Sequence, residues 1–236
     1  MQFPLSLQHH FNRLVLGLLI SGFMTAMGVL QAGAKSTPTV LILGDSLSAE
    51  YGLARGTGWV QVMAKQAELE KINVQWVNAS ISGDTTSGGL SRLPALLLQH
   101  KPNLVVIELG GNDALRGLNL NMTQQNIKSM TDAAKKSGAQ VLLIAMQVPP
   151  NYGDKYRQQM EAVYQKVAKE TSAQINSQFL KGVADDADAL KWFQADKIHP
   201  NEGAQRLMMR NVWPQIKTIL NSASIKDERE LSPIKG

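Results

Sequence analysis

A serine hydroxyl attacks a carbonyl near neutral pH only if a base takes its proton and a third group holds that base in place. The sequence supplies these parts at few positions. Ser46 stands in Gly44-Asp-Ser-Leu-Ser48, directly after the apolar run Thr39-Val-Leu-Ile-Leu43, where a strand-to-helix turn would present its hydroxyl. Only four histidines occur, His9, His10, His100 and His199. His9 and His10 fall in a leader-like N-terminal stretch, and His100 closes an amphipathic run beside Lys101-Pro102, where it reads as a surface helix end. His199 precedes Pro200, which holds it extended at the mouth of a helix, and Asp196 lies three residues before it, close enough to curl back onto the imidazole. The expected roles are nucleophile for Ser46, base for His199 and orienting acid for Asp196. Taken singly, a Gly-Asp-Ser turn is an ordinary Asx turn and Asp-x-x-His-Pro an ordinary helix cap. Their occurrence together, each at an element boundary, is what points to acyl transfer.

Acyl transfer also needs donors aimed at the negative charge that develops on the carbonyl oxygen, each typically worth ~3 kcal/mol of barrier. The Ser46 N–H, the Gly83 N–H and the Asn112 side-chain amide are the candidates. Gly83, in Asn78-Ala-Ser-Ile-Ser-Gly-Asp84, lets backbone approach a ligand with no Cβ in the way, and Asn112, in Gly110-Gly-Asn-Asp113, carries an N–H₂ that a carboxylate lacks.

These segments need a frame that brings them to one edge. Thr39–Leu43, Val74–Val77, Leu104–Leu109 and Val141–Met146 read as strands, the first, third and fourth apolar on both faces. Helical patterns lie between them, at about 58–71, 88–100, 123–137 and 154–171. A last helix runs from after His199 to about Leu220, broken or kinked at Pro214. This alternation predicts a single α/β domain with a doubly wound parallel sheet, in which ligands bind beyond the carboxyl ends of the strands where strand order reverses. The domain is expected over 35–222, with 223–236 a flexible polar tail.

Residues 1–34 read as a signal peptide: one cation at Arg13, the uncharged apolar run Leu14–Leu30, and a small-x-small site in Ala32-Gly-Ala34. A retained anchor is the rival reading, since seventeen apolar residues are just short of a comfortable span. Cleavage after Ala34 would leave no stable membrane anchor and a periplasmic or secreted domain. With no cysteine, the chain has no disulfide, thiolate metal site or lipoprotein attachment point. A net charge of +5 without Lys/Arg runs gives no nucleic-acid footprint. Asp185-Asp-Ala-Asp188 lacks the glycine and distal Glu of a calcium loop and reads as a helix start. The four tryptophans and the Met208-Met209 pair read as core.

The blocks Gly44–Ser48, Gly83, Gly110–Asp113 and Asp196–Pro200 together resemble the signature segments of the GDSL, or SGNH, hydrolase superfamily. The runs Ile42–Ala49, Val77–Thr85, Arg92–Leu97, Glu108–Asp113 and Asn151-Tyr-Gly153 are most similar to its bacterial periplasmic thioesterase and arylesterase branch. The resemblance implies a flavodoxin-like three-layer α/β/α sandwich with a parallel five-stranded sheet, and no metal or organic cofactor. It assigns Ser46, His199 and Asp196 as the catalytic triad and Ser46, Gly83 and Asn112 as the oxyanion hole. It implies hydrolysis of small-molecule acyl esters or thioesters, lysophospholipids among them. The protein is expected to be a monomer with no nucleic-acid partner and no stable membrane anchor after signal cleavage. Asp45, Leu115, Arg116 and Leu118 are expected as substrate contacts. Glu50 departs from the branch, which carries glycine there, and is expected to narrow the acyl cleft or disfavour anionic substrates. A carbohydrate O-deacetylase and a non-catalytic anion-binding domain stay open as alternatives.

Overall fold

The structure is a computed structural model that describes residues 37–230; the expected leader and residues 231–236 lie outside the described residues. Strands β1 (Thr39–Gly44), β2 (Gln75–Asn78), β3 (Leu104–Glu108), β4 (Gln140–Ile144) and β5 (Gln174–Asn176) form one parallel sheet in the order β2-β1-β3-β4-β5. Helices α1 (Trp59–Leu69), α2 (Thr86–His100), α3 (Gly111–Leu115), α4 (Leu120–Lys136), α5 (Asp154–Thr171) and α6 (Glu202–Glu230) cover both faces, α1 packing with α6, α2 with α4, and α4 with α5.

The central strands are buried because both of their faces lie under helices. Every residue of β1 and β3 is buried, and their Val, Leu and Ile side chains form one continuous core with Trp59, Met63, Ile127, Met130, Met208 and Met209. From β1 the chain turns one way to β2 and the other way to β3. The order therefore reverses at β1, and the loops after β1, β2 and β3 open side by side at the carboxyl edge.

The differences from the expected elements have local causes. β2 sits one residue later than expected and is only partly buried, as an edge strand is. β5 was not legible in the residue pattern, being three residues long and polar at both ends. The short α3 occupies a stretch that read as loop, beginning after Gly110, whose φ of +121° suits glycine. Pro214 lies inside α6 without ending it, and the helix runs on to Glu230, through much of the segment expected as a tail. Among the tryptophans, Trp59 and Trp213 are buried, whereas Trp76 and Trp192 are half-buried at the edge of the core. The Asp185–Asp188 cluster leads into a 3₁₀ turn at Ala189–Trp192, and no metal-binding cluster occurs among the described residues.

Candidate active site

The turn after β1 is wound tightly. Ser48 and Ala49 donate backbone N–H groups to the Asp45 carbonyl, Leu47 donates its own to Asp45 Oδ1 (3.0 Å), and Asn78 at the end of β2 donates to the Ser48 carbonyl (2.7 Å). Ser46 is thereby lifted to the sheet edge. Its hydroxyl lies 2.9 Å from His199 Nε2, and His199 Nδ1 lies 2.6 Å from Asp196 Oδ2. An ionised carboxylate only accepts, so Nδ1 is the donor to Asp196 and Nε2 is free to accept the serine proton.

Asp196 organises its own loop. Its Oδ1 accepts the backbone N–H groups of His199 (3.0 Å) and Ile198 (2.9 Å), which turns the carboxylate back toward the ring. Those two donors, with the imidazole, hold its carboxyl down at about 2. Because the folded value lies below the ordinary 3.8, its contribution to stability is present above that value and is lost only as pH falls toward 2.

Two backbone N–H groups at this edge, those of Ser46 and Gly83, have no hydrogen-bond partner among the described residues. Gly83 adopts φ +79°, the region where a side chain is strained. Its loop is tied from both sides: Arg116 donates to the Gly83 carbonyl (2.8 Å), while Arg92 pairs with Asp84 (2.8 Å) and donates to the Ala79 carbonyl. Asn112 donates both amide hydrogens, to the Asp84 carbonyl at 2.9 Å and to Asp45 Oδ2 at 3.1 Å. Its nitrogen therefore sits between the β1 and β2 loops with both hydrogens engaged, unlike the free donor pictured from sequence.

Asp45 is corrected more sharply. It is only 3% exposed and lies beneath the site, supporting the Ser46 turn and Asn112, so it has no open face for a substrate. Burial pushes its carboxyl up to about 6. Beneath it lies Glu108, fully buried at the end of β3, with a carboxyl raised well above the ordinary range by desolvation and by the charge of Asp45. Residue-level reading missed Glu108. The signal was a lone carboxylate within Leu104-Val-Val-Ile-Glu-Leu109, a run otherwise apolar on both faces.

Glu50 also differs from expectation. It adopts φ +60°, and its carboxylate accepts N–H groups from Gly56 (3.0 and 3.1 Å) and Gly58 (2.8 Å). The side chain is spent within its own loop. The next residue, Tyr51, lays its ring 4.3 Å from the His199 ring, and Gln194 donates to the Tyr51 carbonyl (2.8 Å). The Glu50 clamp thus anchors the loop that covers the imidazole. Glu50→Ala keeps the strained backbone and loses the acceptor, which is expected to cost about 1–2 kcal/mol, or ~3–6 °C in Tm. Glu50→Gly relieves the strain and should cost less. Thermal melts of the two variants check the ordering.

Leu115 and Leu118, expected as substrate contacts, are exposed on either side of Arg116, and exposed Tyr51, Ile81 and Ile198 stand on the other loops of the same edge. A separate polar cleft of about 340 Å³ opens farther along that edge, beyond β4 and β5, between Met146, Arg157, Glu161 and Gln178.

Comparison with known proteins places the chain among characterised hydrolases. The GDSL-like lipase/acylhydrolase family matches residues 42–207. The chain is 46% identical over 203 residues to the esterase TesA of Pseudomonas aeruginosa, covering 86% of this chain and 98% of that protein. It is 40% identical over 193 residues to thioesterase 1/protease 1/lysophospholipase L1 of Escherichia coli strain K12, covering 81% and 89% respectively. A crystal structure of TesA superposes with a TM-score of 0.74 at 48% identity, over 77% of this chain and 99% of that one.

Proposed function

Because the chain belongs to the GDSL-like lipase/acylhydrolase family, we propose that it is a secreted serine esterase and thioesterase that works through an acyl-enzyme on Ser46. It is a hydrolase acting on ester bonds, as its curated relatives are. The observation that carries the mechanism is the continuous chain from Ser46 Oγ through the His199 ring to Asp196, with links of 2.9 and 2.6 Å. In this reading His199 Nε2 accepts the Ser46 proton as Oγ attacks the acyl carbon. The imidazolium, held by Asp196, then returns the proton to the departing alcohol or thiol. Water repeats the sequence on the acyl-enzyme and frees the acid. The unpartnered N–H groups of Ser46 and Gly83 receive the oxyanion, joined by the Asn112 amide as it shares the hydrogen of its longer bond.

The exposed apolar side chains of Tyr51, Ile81, Leu115, Leu118 and Ile198 support substrates with extended acyl or aryl groups. The leader-like residues 1–34 support export to the periplasm. Turnover of p-nitrophenyl esters and acyl-CoA thioesters from two-carbon to sixteen-carbon chains tests the reading. Ser46-dependent rates peaking at medium or long chains are expected. Activity confined to acetyl groups would favour carbohydrate deacetylation, and a folded protein inert on every substrate would favour a binding domain. Asn112→Asp replaces an amide donor with an anion facing Asp45 and the oxyanion. It should lower kcat by ~10²–10³-fold with little change in circular dichroism.

A further inference from the structure

The imidazole of His199 has a third neighbour besides Ser46 and Asp196. The Tyr51 ring lies 4.3 Å from it, centroid to centroid, with the two planes tilted by 40°. That separation is too short for rings meeting edge to edge, so the imidazole lies against the face of the phenol ring. The loop after the nucleophile is held in this place from two sides. Tyr51 donates its backbone N–H to the Ser46 carbonyl (3.3 Å), and its own carbonyl is taken by Gln194. Gln194 stands at the base of the loop that carries Asp196 and His199, which Phe193 and Pro200 close by pairing antiparallel. Its backbone N–H donates to the His199 carbonyl (2.8 Å), and its side-chain amide donates to the carbonyls of Tyr51 (2.8 Å) and Pro200 (3.2 Å). One residue thus fixes both the backbone that bears the phenol ring and the backbone that bears the imidazole. Gly52, at φ +69°, leaves room for it: a Cβ there would collide with the Gln194 side-chain oxygen.

We propose that Tyr51 is a positioning residue for the base: its ring, set in place by Gln194, keeps the imidazole in line between Ser46 and Asp196 and attracts the imidazolium that forms when the serine proton is taken. The triad needs such support, because its acid is the open end. The Asp196 side chain is 36% exposed against 19% for His199, so water competes for the Nδ1 hydrogen and the carboxylate alone holds the ring loosely. Against a neutral imidazole the Tyr51 ring supplies packing. Once Nε2 has taken the proton, the same ring faces a cation within about 6 Å of its centroid, and the negative face of the ring attracts it. The contact is therefore stronger in the transition state than in the resting enzyme, which is the condition for raising kcat and not merely binding. Both half-reactions pass through the imidazolium, so the effect belongs in kcat whichever step limits turnover and whichever leaving group departs. This role is separate from the apolar surface that the exposed part of the ring offers a substrate.

This inference rests on the proposed serine mechanism, so its test keeps the two apart. Steady-state kinetics on a p-nitrophenyl ester and on an alkyl thioester of the same acyl chain would be run for the full protein, Tyr51→Phe, Tyr51→Leu, Gln194→Leu and Tyr51→Leu/Gln194→Leu. A further variant carries a trifluorinated phenylalanine in place of Tyr51, Ser46→Ala is the control, and each sample is also melted. Tyr51→Phe keeps the ring face and is the reference for the series. The trifluorinated ring has nearly the same shape, but its face has lost most of its negative charge. It should lower kcat by ~3–10-fold below Tyr51→Phe on both substrates, with no change in melting temperature. Tyr51→Leu, which removes the ring altogether, should lower kcat by ~10–30-fold. Gln194→Leu should cost ~3–10-fold in the parent but less than about twofold in the Tyr51→Leu background, because the ring it places is gone. A trifluorinated variant as fast as Tyr51→Phe would overturn the role of Tyr51 while leaving the serine mechanism standing. A loss confined to the aryl ester would overturn it too, marking a ring that contacts the leaving group and not the base. Equal costs of Gln194→Leu in both backgrounds would overturn the part given to Gln194. Turnover that survives Ser46→Ala would instead overturn the mechanism itself.

Discussion

Ser46→Ala is expected to lower kcat by about 10⁴–10⁶-fold while leaving the melting temperature within a degree or two of the parent. The size follows from what the hydroxyl does: without Oγ no acyl-enzyme forms, and the rate that remains is what donors and binding alone can give. The small effect on stability follows from the surroundings. Ser46 Oγ has one polar partner, His199, and that ring keeps its hold on Asp196 when the hydroxyl is gone. The turn itself is held by Asp45, Ser48 and Asn78, none of which depends on the Ser46 side chain. Ester turnover by the purified variant, with a melt on the same sample, checks both halves. Equal losses of activity and stability would point to a structural serine.

His199→Ala is expected to cost nearly as much, ~10⁴-fold or more in kcat, since Ser46 then has no base within reach. Asp196→Asn should be milder, about 10²-fold. A buried triad acid is worth more, but Asp196 has a side chain 36% exposed, so water can take over part of its work on the ring. The amide can still accept at one atom, though it can no longer meet two backbone N–H groups and Nδ1 together. Acid behaviour separates the roles. With its carboxyl held at about 2, Asp196 stays ionised across the whole range above pH 4. A loss of activity around pH 6 therefore reports protonation of Asp45, whose carboxyl is raised to about 6, and not of Asp196. A pH–rate profile whose acid limb lay near pH 2–3 would contradict this assignment.

The parts of this site that could be read in advance are those with strong local rules. A five- or six-residue largely apolar run is a buried parallel strand almost whatever surrounds it, and β1, β3 and β4 lie within a residue or two of their expected places. His199 was singled out by scarcity and by Pro200, and the structure sets it between Ser46 and Asp196. What could not be read depends on tertiary pairing. β5 has too few residues to show a period and exists because β4 offers an edge. Asp45 belongs to the same pentapeptide as Ser46, yet it lies beneath the site, where its backbone N–H donates to a carboxyl 63 residues distant. Glu50 gave a warning as the position where the resembled branch is expected to carry glycine. The warning concerned its backbone, which keeps the left-handed geometry glycine would have taken, and its side chain offsets that strain by binding its own loop.

The central claim is that an acyl group passes through Ser46. The most direct measurement is intact-protein and peptide mass spectrometry after incubation with an aryl alkylphosphonate, a trap that stays on an attacking serine. One adduct per chain, on the peptide containing Ser46, rising in step with loss of ester turnover and absent from Ser46→Ala, is the predicted result. Full activity in a protein fully labelled at Ser46, or an inactivating adduct on any other residue, would contradict the account.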